Sequence, residues 1–194
     1  MKLPAPIEFK IATEDWEFEQ IHRLNYRTFV EEIPQHQPSP TGFLVDRFHA
    51  ENTYIICVSG RQLIGMLAVR SKRPFSLDQK LPRLDDHLPP GRSVCEIRLL
   101  AVEKNYRMGQ VSLGLLKYAG EYCVRQGYDM AVISGTTRQQ KLYKHLGFVP
   151  FGPLVGSGEA LFQPMYLTRE AFEANTKDFA AAEAREAQSN RPWA

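Results

Sequence analysis

The sequence predicts an α/β domain of the α+β kind, a mixed sheet with helices packed on it. Three observations lead there. The candidate elements run βα–ββ–βα–βα–ββ, which is not the regular alternation of a wound parallel fold. Two β-rich runs, 53–58 and 62–70, flank Ser59-Gly60-Arg61 and read as a hairpin. The near-continuous apolar run VCEIRLLAV, 94–102, reads as a central strand.

The elements follow in order. Residues 8–12 form a short first strand. Thr13 or Asp15 is placed to cap a helix over 16–30, whose apolar positions include Trp16, Ile21, Leu24 and Phe29. Three prolines in 33–41 take the chain out of that helix. After the hairpin, 71–92 is rich in Pro, Asp and basic residues. So long a connection is a candidate substrate lid. The central strand then leads through a polar turn, 103–108, into a helix over 109–126, where Val111, Leu115, Tyr118, Ala119 and Tyr122 keep a helical stripe and Gly127 fits the C-cap. A buried strand, 130–134, precedes a short helix, 137–146, ended by Gly147. Strands at 148–151 and 160–167 follow, with a Gly/Pro loop, 152–158, between them. The expected division is one domain, 1–167, and an Ala/Glu-rich tail, 168–194, anchored only by Phe172 and Phe179.

Bulk properties narrow the function. With 194 residues the chain is long enough to bury one core. A net charge of +2 and the lack of a Lys/Arg stripe with interleaved aromatics argue against a nucleic-acid partner. No apolar run approaches a membrane span, and the N-terminus does not read as a signal peptide. Cys57, Cys95 and Cys123 are unpaired in spacing, which suits reduced, buried thiols in a cytoplasm; no metal cluster is expected.

Two segments carry chemistry. In AVEKNYRMGQVSLGLL, 101–116, a strand breaks into a polar turn and a helix begins at once. Such a start offers unpaired backbone N–H groups and the positive end of the helix dipole to an anion. Gly109 and Ser112 are small and Arg107 adds charge, although an ordinary turn looks the same. In LYKHLGF, 142–148, a helix ends at Gly147 and an aromatic strand follows. Tyr143 is there either a core aromatic or a hydroxyl facing a cleft. Glu96 and Arg98 interrupt the central strand on one face. Either Glu96 deprotonates an incoming ammonium, or the two neutralise each other.

At this spacing the strand VCEIRLLAV, the turn NYRMGQVS and the closing LYKHLGF resemble the GNAT superfamily of acyl-CoA N-acyltransferases. The family loop reads Arg/Gln-x-x-Gly-x-Gly/Ala. Here Arg107 opens it, Gln110 stands at the glycine, Ser112 at the last small residue, and Gly109 lies one position early. Thr137 stands near a common Asn. The resemblance implies the GNAT fold, a mostly antiparallel sheet with helices on both faces and a V-shaped splay after the fourth strand. It implies a donor, acyl-CoA or acyl-phosphopantetheine, held by Leu100, Ala101 and Val102 and by the loop Arg107, Met108, Gly109, Gln110, Val111 and Ser112. It makes Tyr143 the acid that protonates the departing thiolate. Its unperturbed pKa, about 10, suits a neutral donor.

The N-terminal half is similar to the acyl-homoserine-lactone synthases and the N-acyl amino acid synthases. Asn25–Glu32 matches their helix end through Arg27 and Phe29; Asp46 and Phe48 match Asp-x-Phe-Asp, with His49 at the second Asp. Ala68 stands where an Arg is expected, and Pro164-Met165-Tyr166-Leu167 matches Pro-Met-x-Leu. This implies long acyl chains, an acyl carrier protein as a possible partner, and a small-molecule amine as acceptor. Arg27, Phe29, Asp46 and Arg98 are then the substrate-facing set, and Phe29, Phe43 and Phe48 wall an acyl tunnel or simply pack the core. With no Ser–His or exposed Cys–His pair, direct attack in a ternary complex is expected. An acetyl-CoA-dependent acetyltransferase, a non-catalytic acyl-CoA-binding module and an interaction domain are the alternatives.

Overall fold

The computed structural model describes residues 5–107, 110–157 and 160–177. Eight strands form one mixed sheet: β1 (Ile7–Ile11), β2 (Asn52–Ser59), β3 (Gln62–Arg70), β4 (Val94–Val102), β5 (Met130–Thr136), β6 (Val149–Pro150), β7 (Val155–Ser157) and β8 (Ala160–Thr168). Their order across the sheet is β1-β2-β3-β4-β5-β8-β6, with β7 also on β8. Only β4 and β5 run parallel. The expected hairpin is there, turning through Gly60 at φ +57°.

Alternation along β2 and β3 splits the core between two faces. Ile55, Cys57, Ile64 and Leu67 face helix α2 (Gln110–Arg125), which buries Val111, Leu115 and Ala119 against them. Ile56, Val58, Met66 and Ala68 face helix α1 (Asp15–Tyr26), packing on Ile21 and Leu24. Each such buried aliphatic side chain contributes about 1.5–3 kcal/mol. All three cysteines are buried and free.

α1 starts at Asp15, and Glu17 reaches back to accept from the N–H groups of Thr13 and Glu14 at 2.7 and 3.0 Å. The cap is therefore a capping box between Glu14, the N-cap residue, and Glu17, not Thr13 or Asp15. Burial pushes the Glu17 carboxyl up, but Lys10 at 2.7 Å and the two N–H donors hold it below the usual range. The helix does not continue as a plain α-helix to Val30. It widens into a π-helical turn, Arg27–Glu32, closed by Ile33 N–H donating to the Thr28 carbonyl at 3.0 Å. α2 ends as expected: Tyr128 N–H reaches the Cys123 carbonyl and Gly127, at φ +81°, donates to Val124. Helix α3 (Gln140–His145) closes in the same way through Gly147 and Phe148.

Two expectations need correction. The 71–92 connection is no free lid: Phe75, Leu77, Leu81, Leu84 and Leu88 are buried in a cluster with Met130, Val132 and Phe162. Leu77, Leu81, Leu84 and Leu88 fall at helical spacing, yet the segment forms only a short 3₁₀ turn, Leu84–His87, and the five side chains fasten it as a loop. The Gly/Pro loop also contains β7, paired with β8 from Val155↔Phe162 to Ser157↔Ala160. Beyond β8 a helix α4, residues 169–177, rests on α2 with Phe172 over Gly120, and Asn175 donates to the Leu146 carbonyl at 3.0 Å. The rest of the tail, with Phe179, lies outside the described residues.

Gly114 on α2 has no room for a side chain, since a Cβ there would stand 2.2 Å from the Phe9 ring of β1. Gly114→Ala should lower stability by about 1–3 kcal/mol, read as a reduced midpoint in urea with an unchanged slope.

Candidate active site

The site begins where two strands part. β4 pairs with β5 only through Val94↔Met130, Cys95↔Ala131 and Glu96↔Val132. On its other edge β4 stays with β3, but Leu99 and Leu100 together oppose Leu67 in a bulge. Leu99 takes φ +57°, a conformation costing about 1–3 kcal/mol for a non-glycine residue. The bulge bends β4 away, and past Glu96 the strand has no ladder to β5.

A cavity of about 1170 Å³ fills this opening. It runs from the π-helical turn, past Asp46 and Arg98, through the parted strands to Ser112, Ile133 and Tyr143. Single-ligand pockets commonly measure roughly 300–1,000 Å³, so two reactants fit side by side. Four residues that line it each carry a buried polar atom with no hydrogen-bond partner among the described residues: Asn25 Oδ1, Thr28 Oγ1, Arg98 Nε and Ser134 Oγ. Unpartnered buried polar atoms are costly.

The cavity brings together Glu96, Arg98, Leu100, Ala101, Val102, Arg107, Ser112, Phe29, Asp46 and Tyr143 of the sequence-derived set. It leaves out others. Arg27 is not on the wall; its guanidinium is ion-paired with Glu103. Val111 is a core residue beside Gly65, and Gln110 is the exposed first residue of α2. Met108 and Gly109 lie outside the described residues. Of the aromatics proposed as tunnel wall, Phe29 lines the cavity, while Phe43 and Phe48 pack instead against the guanidinium groups of Arg23 and Arg70.

Asp46, Arg98 and Glu96 form a charged row along the α1 face. Arg98 Nη1 donates to Asp46 Oδ1 at 2.6 Å, and Arg98 Nε stands 3.7 Å from Glu96 Oε2. Asp46 Oδ1 also accepts from Phe48 N–H at 3.0 Å and Asn52 Nδ2 at 2.9 Å. Its second oxygen has no protein donor among the described residues. Behind Asn52, Tyr54 and His49 continue the network, with Asn52 Nδ2 and His49 Nδ1 each 3.2 Å from the Tyr54 hydroxyl. The His22 ring packs on His49, and burial holds its pKa below the usual histidine range.

Glu96 is 1% exposed and heavily engaged. Its carboxylate accepts from Ser76 N–H at 2.9 Å, Ser76 Oγ at 2.5 Å and Leu77 N–H at 3.0 Å. These contacts tie the 71–92 loop to β4. The same loop brings in Lys80, which sequence reasoning missed. Lys80 has no ion-pair partner within 4.0 Å among the described residues, lies 4.8 Å over the Phe162 ring and lines the cavity. Although Lys80 is exposed by surface area, the atoms crowding its ammonium lower its pKa, and the Arg98 and Arg47 guanidiniums lower it further against the pull of Glu96. The one sequence signal for it was the unusual length of the loop.

Tyr143 sits on the β5 side, 5% exposed, its ring 5.8 Å edge-on from Phe148. Gly135 lets it fit, because a Cβ there would be 2.9 Å from the ring. The hydroxyl donates to Gln139 Oε1 at 3.0 Å, and burial pushes its pKa up to about 12. Burial also raises the Cys57 thiol to about 11 and the Cys95 thiol well above its usual value, where the Cys123 contact contributes most. Among the described residues no cluster of His, Cys, Asp and Glu is arranged to hold a metal ion, and no helix is long and apolar enough to cross a membrane.

With this geometry in hand, comparison with known proteins is informative. A family model described as the N-acyl amino acid synthase FeeM matches residues 20–170. The fold is similar to that of BjaI, a CoA-dependent acyl-homoserine lactone synthase solved with SAM and isopentyl-CoA, at TM-score 0.72 and 22% identity over 91% of this chain and 90% of that one. It is similar to the AHL synthase LasI at TM-score 0.72 and 16% identity, covering 85% and 91% of the two chains. FeeM itself, an N-acyl amino acid synthase from uncultured soil microbes, superposes at TM-score 0.67 and 17% identity, covering 88% and 94%. No curated protein matches by sequence.

The contacts of Glu96 make a testable distinction. Glu96→Gln turns an acceptor oxygen into an N–H donor against Ser76 and Leu77, and should cost about 2–4 kcal/mol of stability. Urea unfolding of the variant checks this; full stability with abolished turnover would instead mark Glu96 as a proton acceptor.

Proposed function

Because the chain belongs to the family of the N-acyl amino acid synthase FeeM and is an N-acyltransferase, we propose that it joins an acyl group from a phosphopantetheine thioester to the amine of an amino acid or similar small molecule. The donor is acyl-CoA or an acyl carrier protein. The observation that carries this reading is one cavity joining the parted β4–β5 edge, Tyr143 and the Asp46–Arg98 pair.

On this reading the residues divide the work. The bulged edge of β4 at Leu100–Val102 offers backbone groups that β5 does not use, and these pair with the pantetheine arm. An N–H of that edge polarises the thioester carbonyl, an oxyanion-type contribution. Arg107 and the start of α2, with Ser112, face the donor phosphate. The second oxygen of Asp46 receives the acceptor ammonium, while Lys80 faces the acceptor carboxylate. The amine gives up a proton to water and attacks the carbonyl carbon. The C–N bond forms, the C–S bond breaks, Tyr143 passes its hydroxyl proton to the leaving sulfur, and the second proton, shed by the nitrogen as the amide forms, returns through water to the tyrosinate. A tyrosine with its pKa near 12 stays protonated throughout the neutral range. Buried thiols with raised pKa values make poor nucleophiles, which favours direct attack over an acyl-enzyme. Glu96 acts by position: it anchors the loop that carries Lys80 and sets Arg98. The volume of the cavity supports acyl chains longer than acetyl.

The decisive experiment measures thiol release from a series of acetyl to long-chain acyl-CoAs and acyl carrier proteins with pooled amino acids. Donor binding without release from any of them would remove the transfer reading. Tyr143→Phe should lower kcat by roughly 10²-fold and leave donor Kd unchanged, as steady-state kinetics and calorimetry would report. Lys80→Met should raise KM about tenfold for an amino-acid acceptor but not for its amide, so the ratio of the two KM values isolates the carboxylate contact.

A further inference from the structure

Glu32 ends the π-helical turn and holds the very cation that the donor reading gives to phosphate. Its Oε2 lies 2.7 Å from Arg107 Nη1, and its Oε1 accepts from Arg107 Nη2 at 3.0 Å. Lys104 Nζ stands 3.7 Å from the same Oε1. The remaining guanidinium nitrogen, Nε, donates to the Val102 carbonyl at 2.7 Å. All three nitrogens of Arg107 therefore face oxygen already. The other end of the turn is pinned too, through Arg27 and Glu103. Glu32 and Arg107 both line the large cavity, where β4 ends and α2 is about to begin. A carboxylate fills the guanidinium fork with two oxygens, as a phosphate does.

We infer that Glu32 is a resident competitor for the donor phosphate, occupying the Arg107 fork in the free chain and setting how tightly phosphate-bearing donors bind. The inference rests on the reading that Arg107 faces that phosphate. Its sign is definite. An arriving phosphate exchanges one anion for another instead of meeting a bare cation, and the displaced carboxylate repels it from nearby. The spent carrier meets the same competition, so Glu32 speeds its departure. The pantetheine arm carries no charge and is indifferent to the exchange. Although burial pushes the Glu32 carboxyl up, Arg107 and Lys104 pull it below the usual range, so the competitor stays ionised at neutral pH.

The test compares Glu32→Gln with the unmodified chain in calorimetric binding of CoA, 4′-phosphopantetheine and pantetheine. Binding of the two phosphate-bearing ligands should tighten about threefold to tenfold, with pantetheine unchanged and the gain abolished in an Arg107→Met background. Equal binding, or weaker binding of all three ligands, would overturn the inference, because Glu32 would then be idle or would orient Arg107. Thermal unfolding checks that the variant is folded, and Glu32→Ala repeats the comparison if it is not. If no form binds CoA or phosphopantetheine, the donor reading falls and takes this inference with it. If the tightening is seen while no amine is acylated, Glu32 keeps its role and the transfer reading alone fails.

Discussion

Between Glu96 and Val132 the ladder joining β4 to β5 stops, and most of the site follows from that interruption. A central strand normally spends both edges on hydrogen bonds. β4 bulges at Leu99 and Leu100, keeps β3 and gives up β5, leaving backbone polar groups at the bottom of a cleft. The strain of Leu99 and the lost ladder are offset by the two cores on either side of β2 and β3. An opening made of backbone suits a ligand that is itself amide-rich.

Charge is organised around the same opening. Acids and bases on the α1 face are seldom left to solvent: Glu96 is consumed by Ser76 and Leu77, Asp46 by Arg98, and Arg107 by Glu32. What remains unmatched is selective. Asp46 and Lys80 both line the cavity, and neither the second oxygen of Asp46 nor the Lys80 ammonium has a hydrogen-bond or ion-pair partner among the described residues. Ionic pairs in this setting contribute less to stability than to geometry, since desolvation offsets much of their attraction.

Much of the framework is legible in the sequence because it is local. The Gly60 hairpin, the apolar run of β4 and the glycine-closed ends of α2 and α3 each depend on residues a few positions apart, and Tyr143 could be placed from its distance to Gly147. Contacts across the chain are not written that way. Arg98 finds Asp46 at 52 positions and Arg107 finds Glu32 at 75. Nothing in the spacing selects Asp46 over Arg27 as the residue at the cavity. The 71–92 loop misleads for a related reason: its polar composition hides the five side chains that bury it. Lys80 is carried along by that burial.

The three residue pairs joining β4 to β5 divide the sheet into two plates. The first, β1 to β4 with α1, carries Asp46 and Arg98; the loop of Lys80 is tied to it through Glu96 but packs its apolar side chains on the second. The second, β5 to β8 with α3, carries Tyr143. On the proposed reading the groups that meet the amine and the thiol stand on opposite plates, which α2 and the 71–92 loop bridge. If the roles fall as proposed, acceptor and leaving group are handled by different strands, and the shared packing of α2 and the 71–92 loop is where a change on one side reaches the other.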